Sequence, residues 1–400
     1  MGIISNKEEL ATNELRTQAL EILEAGLEAI NTEKVLRKKI SITSGVLNIE
    51  GGNELDLKSF NRVIFVGIGK CALDGAKVIE EILGDYLMEG AVIDVKPTDE
   101  SKDLKKIRYF EGTHPLPSEQ NVSATKKILE MVKDLTEKDL VITLISGGGS
   151  SLFELPVDGF DLNTIIEKTK EFTAKGADIY ELNAVRKQMS QVKGGKFAET
   201  CSPARMVSLI FSDVPGNNIS VIASGPTILT ESEDRIKNIM IVSNTDALEA
   251  MESKAEELGF FVTTETDRFS GNAGEMGKEL ALREPKNKTC ILFGGETTVI
   301  IPQNHGVGGR NQEMALSALP YIKLDSVLVC ATSDGWDNND HAGALVDLEL
   351  FEKSKQAGIS PEEFLMHGDS YNFFKEIKDG AIYTGKLGSN VSDLYIMLYK

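Results

Sequence analysis

The sequence predicts two α/β domains, the first of them a doubly wound parallel sheet. Short, continuously apolar runs alternate with helical segments from about residue 45 onward, and this is the pattern of parallel strands buried under helices on both faces. The length of 400 residues also exceeds what one ordinary core organises. We therefore predict an N-terminal helical segment over residues 1–44, a first domain over 45–240 and a smaller α/β domain over 241–400. Because no Pro- or Ser-rich linker separates the domains, we expect a cleft between them.

The individual elements follow from apolar spacing and from capping residues. A capping box at Ser5 and Glu8 precedes an apolar stripe at helical spacing, which predicts a helix over residues 5–38. Four apolar runs predict strands of the first domain at 62–66, 91–95, 140–145 and 205–211, with helices at 119–136, 161–175 and 179–199. The second domain is predicted to contain strands at 260–263, 289–293, 297–301, 326–331, 344–346, 381–383 and 394–398.

Charge and composition exclude several classes of partner. The net charge of −19 disfavours nucleic acid and anionic membranes, so an anionic substrate requires a locally basic site. No apolar run is long enough to span a bilayer and no secretory signal precedes the first helix, so we expect a cytoplasmic protein. The four cysteines form no CxxC motif and are expected to be free and buried. The four histidines form no zinc-binding pair.

A glycine-rich loop follows the predicted strand at 140–145. This loop, residues 146–151, consists of Ser146, Gly147, Gly148, Gly149, Ser150 and Ser151. Three consecutive glycines let a backbone approach an anion closely and direct N–H groups towards it. We predict that the loop binds phosphate or carboxylate, and the alternative is a plain strand-to-helix turn.

Two further strand ends of the first domain carry charged residues. Gly67-Ile-Gly-Lys70 resembles the start of a dinucleotide fingerprint, but Leu73 replaces its third glycine and no acid follows the second strand. Lys70 is therefore a candidate for binding a carboxylate or phosphate. Asp213, after the fourth strand, is predicted to hold Mg²⁺ or to accept a substrate proton, and capping of the next turn is an equal alternative.

Other candidate residues lie on a helix of the first domain and in the second domain. Asn183, Arg186 and Ser190 share one helical face, a pattern that alone indicates only a helix with surface charges. In the second domain, Arg310 follows two glycines at the start of a helix, where its planar guanidinium can clamp an anion. Asp334 lies in an acidic loop that could position Mg²⁺ or substrate hydroxyls. Gly295 and Glu296 lie in a further glycine turn between two predicted strands.

Together these motifs resemble the class II glycerate 2-kinase family, whose C-terminal part is known as the MOFRL domain. The resemblance follows the chain in order and rests on Gly67-Ile-Gly-Lys70, Thr113-His-Pro115, the glycine-rich loop, Asn183 with Arg186, Lys193-Gly-Gly195, Ser212-Asp-Val214, Ser224-Gly-Pro-Thr227, Gly294-Gly-Glu296, Gly308-Gly-Arg-Asn-Gln-Glu313, Thr332-Ser-Asp-Gly335 and Asn390-Val-Ser-Asp393. The family often has an acid where this chain has Asn217, which puts a metal role there in doubt.

The resemblance implies a Rossmann-like domain with a smaller α/β domain and phosphoryl transfer from ATP to glycerate. It implies catalytic and substrate-binding roles for Lys70, Asp213 and Arg310, and nucleotide binding by the glycine-rich loop, Gly295 and Glu296. Mg²⁺ or another divalent cation is expected near Asp213 and Asp334. The expected partners are glycerate and ATP, and a homodimer is allowed by this prediction. The alternatives are an NAD(P)H-dependent hydroxypyruvate reductase and a non-catalytic protein that binds small anions.

Overall fold

The computed structural model describes residues 2–174, 179–284 and 287–400. The helices are α1 (Lys7–Leu10), α2 (Glu14–Ala29), α3 (Thr32–Lys39), α4 (Ala72–Leu83), α5 (Glu119–Met131), α6 (Gly149–Leu152), α7 (Leu162–Ala174), α8 (Ile179–Met189), α9 (Lys196–Thr200), α10 (Asn244–Glu257), α11 (Ala273–Leu282), α12 (Arg310–Ala318), α13 (Leu348–Ala357), α14 (Pro361–Met366) and α15 (Ser370–Ile377). None of the helices in these three stretches is long and apolar enough to cross a bilayer.

The strands form three sheets. They are β1 (Ile40–Thr43), β2 (Val46–Ile49), β3 (Asn53–Asp56), β4 (Arg62–Ile68), β5 (Leu87–Asp94), β6 (Ile107–Glu111), β7 (Asp139–Ile145), β8 (Arg205–Phe211), β9 (Ile236–Val242), β10 (Phe261–Phe269), β11 (Thr289–Gly295), β12 (Ser326–Thr332), β13 (Gly343–Asp347), β14 (Ala381–Ile382) and β15 (Asp393–Tyr399). Strands β1 to β3 make a small antiparallel sheet, and the two larger sheets have six strands each.

The chain divides into two compact units. One, the parallel-sheet unit, is Thr32–Val242, and the other, the mixed-sheet unit, combines Met1–Asn31 with Ser243–Lys400. The predicted divisions at 44/45 and 240/241 stay predictions, as does the predicted cleft. At the N-terminus, α2 groups with the mixed-sheet unit because its apolar face packs on α10, β12 and β15. The buried Arg16 of α2 also donates hydrogen bonds to Asp347 and Asp379 of that unit.

The large sheet of the parallel-sheet unit confirms the predicted fold class. Its strand order is β6-β5-β4-β7-β8-β9 and every pairing is parallel. One face packs Ile64, Val66 and Ile68 of β4 into a core with residues of α5 and α9. On the other face, Leu144 of β7 packs so closely on Gly75 of α4 that a Cβ at Gly75 would lie 2.3 Å from its Cδ1. Helices therefore cover both faces.

The mixed-sheet unit is also α/β but its sheet is largely antiparallel. The order is β10-β11-β15-β12-β13-β14, and only β10 and β11 pair in parallel. Helices α11, α12 and α15 pack on one face in a core that includes Phe293, Leu328 and Tyr395. The last strand, β15, runs down the middle of this sheet between β11 and β12.

Several predicted elements differ from the structure. The helix predicted over 5–38 is three helices, and α2 begins because the side chain of Asn13 accepts a hydrogen bond from the Arg16 amide. Residues 297–301, which were predicted to form a strand, form none. The backbone pairing in this segment is an isolated bridge between Asn272 and Thr298. Strands β6 and β9 at the two sheet edges were not predicted. All four cysteines are free and buried, as predicted.

Candidate functional site

Lys70, the glycine-rich loop and Asp213 each follow one of three neighbouring strands of the parallel sheet. Strand β4 ends at Ile68, which is paired with Ile145 at the end of β7, and β7 pairs in turn with β8. Lys70, the glycine-rich loop and Asp213 therefore leave the same carboxyl edge. The strand order reverses between β4 and β7, and this topological switch point is where doubly wound sheets bind ligands.

Lys70 and the glycine-rich loop are in direct contact. The Lys70 amide donates a hydrogen bond of 2.9 Å to the Gly147 carbonyl. A Cβ added to Gly148, whose φ is +81°, would lie 3.1 Å from Cγ of Lys70 and 3.3 Å from Cδ2 of His114. A Cβ on Gly69 would lie 2.1 Å from the Ser146 Oγ. These glycines are needed because the two strand ends approach more closely than side chains would permit.

The backbone of the loop leaves amide donors available at the sheet edge. The Gly149 amide donates to the Ser146 carbonyl and the Ser151 amide donates to the Gly148 carbonyl. Within the described residues, the amides of Gly147 and Gly148 donate no hydrogen bond to the backbone. Adjacent unpaired N–H groups in a glycine turn suit an anion.

A strained turn packs against the loop. Ala223 and Ser224 have φ values of 51° and 63°, a left-handed conformation that is costly for residues other than glycine. A Cβ at Gly149 would lie 2.6 Å from that of Ala223. The hydroxyls of Ser150 and Ser224 share a hydrogen bond of 2.9 Å, and Ser224 donates to Oδ1 of Asn183 at 2.7 Å. The sequence pattern placed Asn183 only on a helical face with surface charges, and Ser224 was not assigned to the site, although Ser224-Gly-Pro-Thr was a visible signal.

A group of basic side chains, which we call the basic cluster, extends from this turn. It comprises Arg186, Lys187, Lys193 and Lys196, together with the carboxylate of Glu154. Lys193 and Glu154 form a fully buried ion pair of 2.5 Å. Burial lowers the pKa of Lys193, and the charge of Glu154 acts in the opposite direction. Burial also lowers the pKa values of Arg186 and Lys187.

In the mixed-sheet unit, Arg310 is held by two carboxylates. Asp393 begins β15 and is paired in register with Gly295 of β11 and Thr332 of β12. The Nε of Arg310 donates to Asp393 at 2.5 Å and its Nη2 donates at 3.1 Å, while Nη2 also forms an ion pair with Glu296. Burial alone would lower the pKa of Arg310, but the charges of Asp393 and Glu296 raise it above its ordinary value.

A buried aspartate that was not predicted, Asp337, braces the helix that Arg310 begins. Its carboxylate accepts hydrogen bonds from the backbone amides of Asn311 and Gln312 at 3.3 and 2.9 Å. Burial raises the pKa of Asp337 to about 6, and the hydrogen bonds from Gln312 act in the opposite direction. The predicted Asp334 accepts from the Thr332 hydroxyl and the Trp336 amide, both at 3.0 Å and both on Oδ1.

The predicted metal role of Asp213 and Asp334 stays a prediction. The two residues belong to different compact units. Within the described stretches, no group of three or more His, Cys, Asp or Glu side chains could hold an ion by itself. Mg²⁺ commonly binds through one or two carboxylates plus substrate phosphates, so this donor set fits a cation that a nucleotide brings with it.

No acid follows the second strand, as predicted, but the strand itself ends on an acid. Asp94 is the last residue of β5 itself, one position earlier than the expected place. Its Oδ2 accepts from the Leu73 amide at 2.9 Å and its Oδ1 accepts from the Val95 amide at 2.6 Å. Burial raises the pKa of Asp94 to about 6. This carboxylate stabilises the start of α4. Because both of its oxygens accept hydrogen bonds from backbone amides, it is not available to bind a ribose.

Two family models match the chain. The model described as a domain of unknown function, DUF4147, matches residues 18–258, and the MOFRL family model matches residues 289–393. The D-glycerate 2-kinase of Thermotoga maritima is 36% identical over 96% of this chain and 98% of its own length. The chain belongs to the class II glycerate 2-kinase family.

A solved structure and a second curated relative extend the comparison. The crystal structure of a glycerate kinase from Thermotoga maritima superposes with a TM-score of 0.82 at 33% identity and covers 96% of this chain and 99% of that one. A putative hydroxypyruvate reductase of Agrobacterium vitis is 34% identical over 84% of this chain and 99% of its own length. Family membership thus covers both compact units.

Proposed function

We propose that this protein is an ATP-dependent glycerate kinase that forms 2-phosphoglycerate. The observation that carries the proposal is the contact of Lys70 with the glycine-rich loop at the switch point of the parallel sheet. There, a lysine stem lies against Gly148 beside the amides of Gly147 and Gly148. Phosphoryl transfer demands mainly positioning and charge stabilisation from a protein, and this combination of a cation with backbone N–H donors supplies both.

Each predicted site residue has a role in this proposal. The amides of the glycine-rich loop bind nucleotide phosphates, and Lys70 stabilises the negative charge that develops on the transferring phosphoryl group. Asp213, half-buried at the end of β8, orients the attacking hydroxyl or accepts its proton. Arg310, with Gly295 and Glu296 beside it, contacts an anionic group of the nucleotide or the substrate. Asp213 or Asp334 would hold a divalent cation, which would supply neutralisation of phosphate charge.

A hydroxypyruvate reductase is the weaker alternative. The name of the Agrobacterium vitis relative motivates it, but the acid of the second strand is engaged by the Leu73 and Val95 amides. A dinucleotide would need that carboxylate for its ribose. An enzyme of this kind would consume NADH on addition of hydroxypyruvate, and we expect no change in absorbance at the NADH maximum.

Product analysis tests the proposal directly. The full-length protein is incubated with D-glycerate, ATP and Mg²⁺, and the products are followed by phosphorus NMR. We expect the resonance of a phosphate ester on the secondary hydroxyl, together with stoichiometric ADP. A product phosphorylated on the primary hydroxyl would contradict the assigned position, and ADP release independent of glycerate would contradict the assigned acceptor.

A further inference from the structure

We propose that Arg186 binds the carboxylate of the acceptor substrate, next to the hydroxyl pair of Ser150 and Ser224. The inference rests on the proposed glycerate kinase activity, since a three-carbon hydroxy acid supplies that carboxylate. It assigns a function to a helical face whose sequence pattern indicated no more than surface charge. Arg186 then binds the carboxylate of the acceptor, while Lys70 and the amides of the glycine-rich loop bind the phosphates of the nucleotide.

The position of Arg186 follows from helix geometry and from a chain of hydrogen bonds. Arg186 and Asn183 are three residues apart on α8, so their side chains are neighbours with Cβ atoms about 5–6 Å apart. Asn183 is buried, and its Oδ1 accepts from Ser224. Ser224 in turn shares a hydrogen bond with Ser150 at the end of the glycine-rich loop. Arg186 is therefore a helical neighbour of Asn183, which is linked to the loop through Ser224.

Arg186 differs from the other cations of the basic cluster in its hydrogen bonding. Lys193 donates to Glu154 and to the Phe153 carbonyl, Lys187 donates to the Ser220 carbonyl, and Lys196 donates to two backbone carbonyls. Within the part of the chain that the structure describes, no hydrogen bond from the guanidinium of Arg186 is formed. The guanidinium nitrogens of Arg186 are not among the buried polar atoms that lack a partner, so they are accessible to a ligand. A ligand carboxylate would accept two parallel N–H bonds from them.

The charges around Arg186 favour an anion despite the nearby Glu154. Among the described residues, the charges that act on one another here include those of Arg186, Lys193, Lys196 and Glu154. Glu154 is neutralised by its ion pair with the fully buried Lys193, although its Oε1 is buried without a hydrogen-bond partner. Burial lowers the pKa of Arg186 and the charge of Glu154 acts against this. A locally positive region is what a chain of net charge −19 needs in order to admit a carboxylate.

Steady-state kinetics of the full-length protein tests the assignment. For Arg186→Gln, the KM for D-glycerate should rise about 100-fold, the scale of losing one preorganised charged contact, while the KM for ATP changes less than about threefold. Arg186→Lys keeps the charge but loses the planar guanidinium. Its KM for D-glycerate should lie between the values for wild-type protein and Arg186→Gln. Lys126→Gln, an exposed lysine on α5 of the same unit, is the matched control and should leave both constants unchanged.

The outcomes show whether Arg186 binds the carboxylate of glycerate or a phosphate of ATP. A rise in the KM for ATP with an unchanged KM for glycerate would assign Arg186 to the nucleotide and overturn the proposal. Unchanged constants for both substrates would overturn it as well. If Arg186→Gln does not fold, Arg186→Lys decides, because an unaltered glycerate KM in that variant is incompatible with a bidentate contact.

A direct binding measurement separates this inference from the proposed function. Calorimetric titration with D-glycerate and with glycerol compares acceptors with and without the carboxylate. Wild-type protein should prefer glycerate by about 100-fold, and Arg186→Gln should lose this preference. If wild-type protein binds glycerate but transfers no phosphoryl group, the proposed function fails while the role of Arg186 is still decided. If the preference for glycerate survives in Arg186→Gln, the role of Arg186 fails independently of turnover.

Discussion

Two arginines, one in each compact unit, show how different surroundings give the same residue different capacities. Arg310 is held by Asp393 through two hydrogen bonds and also pairs with Glu296. Arg186 lies near the single carboxylate Glu154, which Lys193 already neutralises. The two carboxylates carry more negative charge than the one positive charge of Arg310. Arg310 can therefore attract an anionic ligand only if one carboxylate moves away. The sequence context, which favoured Arg310 as an anion clamp, does not reveal this difference.

The largest expected effect comes from removing the ion that neutralises Glu154. Lys193→Met leaves a buried carboxylate unpaired, and the free energy of unfolding should fall by about 3 kcal/mol or more. Urea denaturation followed by circular dichroism measures the loss. The variant also gives Arg186 a carboxylate partner, so any folded fraction should bind glycerate more weakly. The double variant Lys193→Met with Glu154→Leu is the control, and a loss of stability equal to that of the single variant would contradict the pairing argument.

The next largest effect concerns the two cations assigned to the reaction. Lys70→Ala and Arg310→Ala should each lower kcat/KM at least about 100-fold, since each removes a preorganised charge. A coupled ADP-release assay measures both, and Lys77→Ala on α4 is the matched control. A decrease in Lys70→Ala alone would make Arg310 a structural residue of the mixed-sheet unit. Near wild-type rates in both variants would contradict the assigned site.

The carboxylate behind Arg310 predicts a change with pH. Because burial raises the pKa of Asp337 from 3.8 to about 6, the folded protein binds this proton more tightly than the unfolded chain. The stabilisation is complete below about pH 4 and is lost as the pH rises through 6. Relative to Asp337→Asn, the free energy of unfolding of wild-type protein should therefore fall by about 2 kcal/mol between pH 4 and pH 7.

Denaturant titrations at several pH values measure this difference. His341, in the same hydrogen-bond network, has its pKa lowered to about 4 by burial, so its own contribution to stability rises with pH. That contribution is present in both proteins and cancels in the comparison. Asp340→Asn, on the exposed part of the same loop, is the control. Parallel pH profiles for wild-type protein and Asp337→Asn would show that Asp337 does not titrate in this range.

The smallest effect sharpens the comparison of the arginines. Glu296→Gln removes the more exposed of the two carboxylates on Arg310, a pair expected to contribute about 1 kcal/mol or less. If Arg310 binds an anion, the KM for ATP or glycerate should fall by up to about fivefold, since a competing charge is removed. Glu275→Gln on α11 serves as the control. An unchanged KM for both substrates would mean that the ion pair with Glu296 does not compete with a ligand.

Local patterns predicted the strand ends of the parallel sheet well. The apolar runs that became β4, β7 and β8 are buried on both faces, so their signal does not depend on neighbours. Strands β6 and β9 were missed because they are edge strands in which many residues are half-exposed, and the apolar run is therefore interrupted. Conversely, Ile300 and Ile301 suggested a strand, but they are 81% and 64% exposed and form no ladder.

The candidate site was predictable where one segment carries the chemistry and not where distant segments meet. The glycine-rich loop could be recognised from the sequence because its six residues are consecutive. Ser224 forms hydrogen bonds with both Ser150 and Asn183 and so joins three segments, and no local periodicity encodes such contacts. The same holds for Asp393, whose pairing with Arg310 depends on the insertion of β15 between β11 and β12.

The central position of β15 has a consequence for synthesis of the chain. The mixed-sheet unit needs both α2, near the start of the sequence, and β15, at residues 393–399. At roughly 5–20 residues per second, synthesis takes on the order of tens of seconds to proceed from α2 to β15, whereas α10, on which α2 also packs, is complete by Glu257. The parallel-sheet unit lies wholly in between and can fold during that interval. The part of the α2 surface that packs on β12 and β15 therefore stays exposed until those strands have been synthesised, and we expect a chaperone to bind there during that interval.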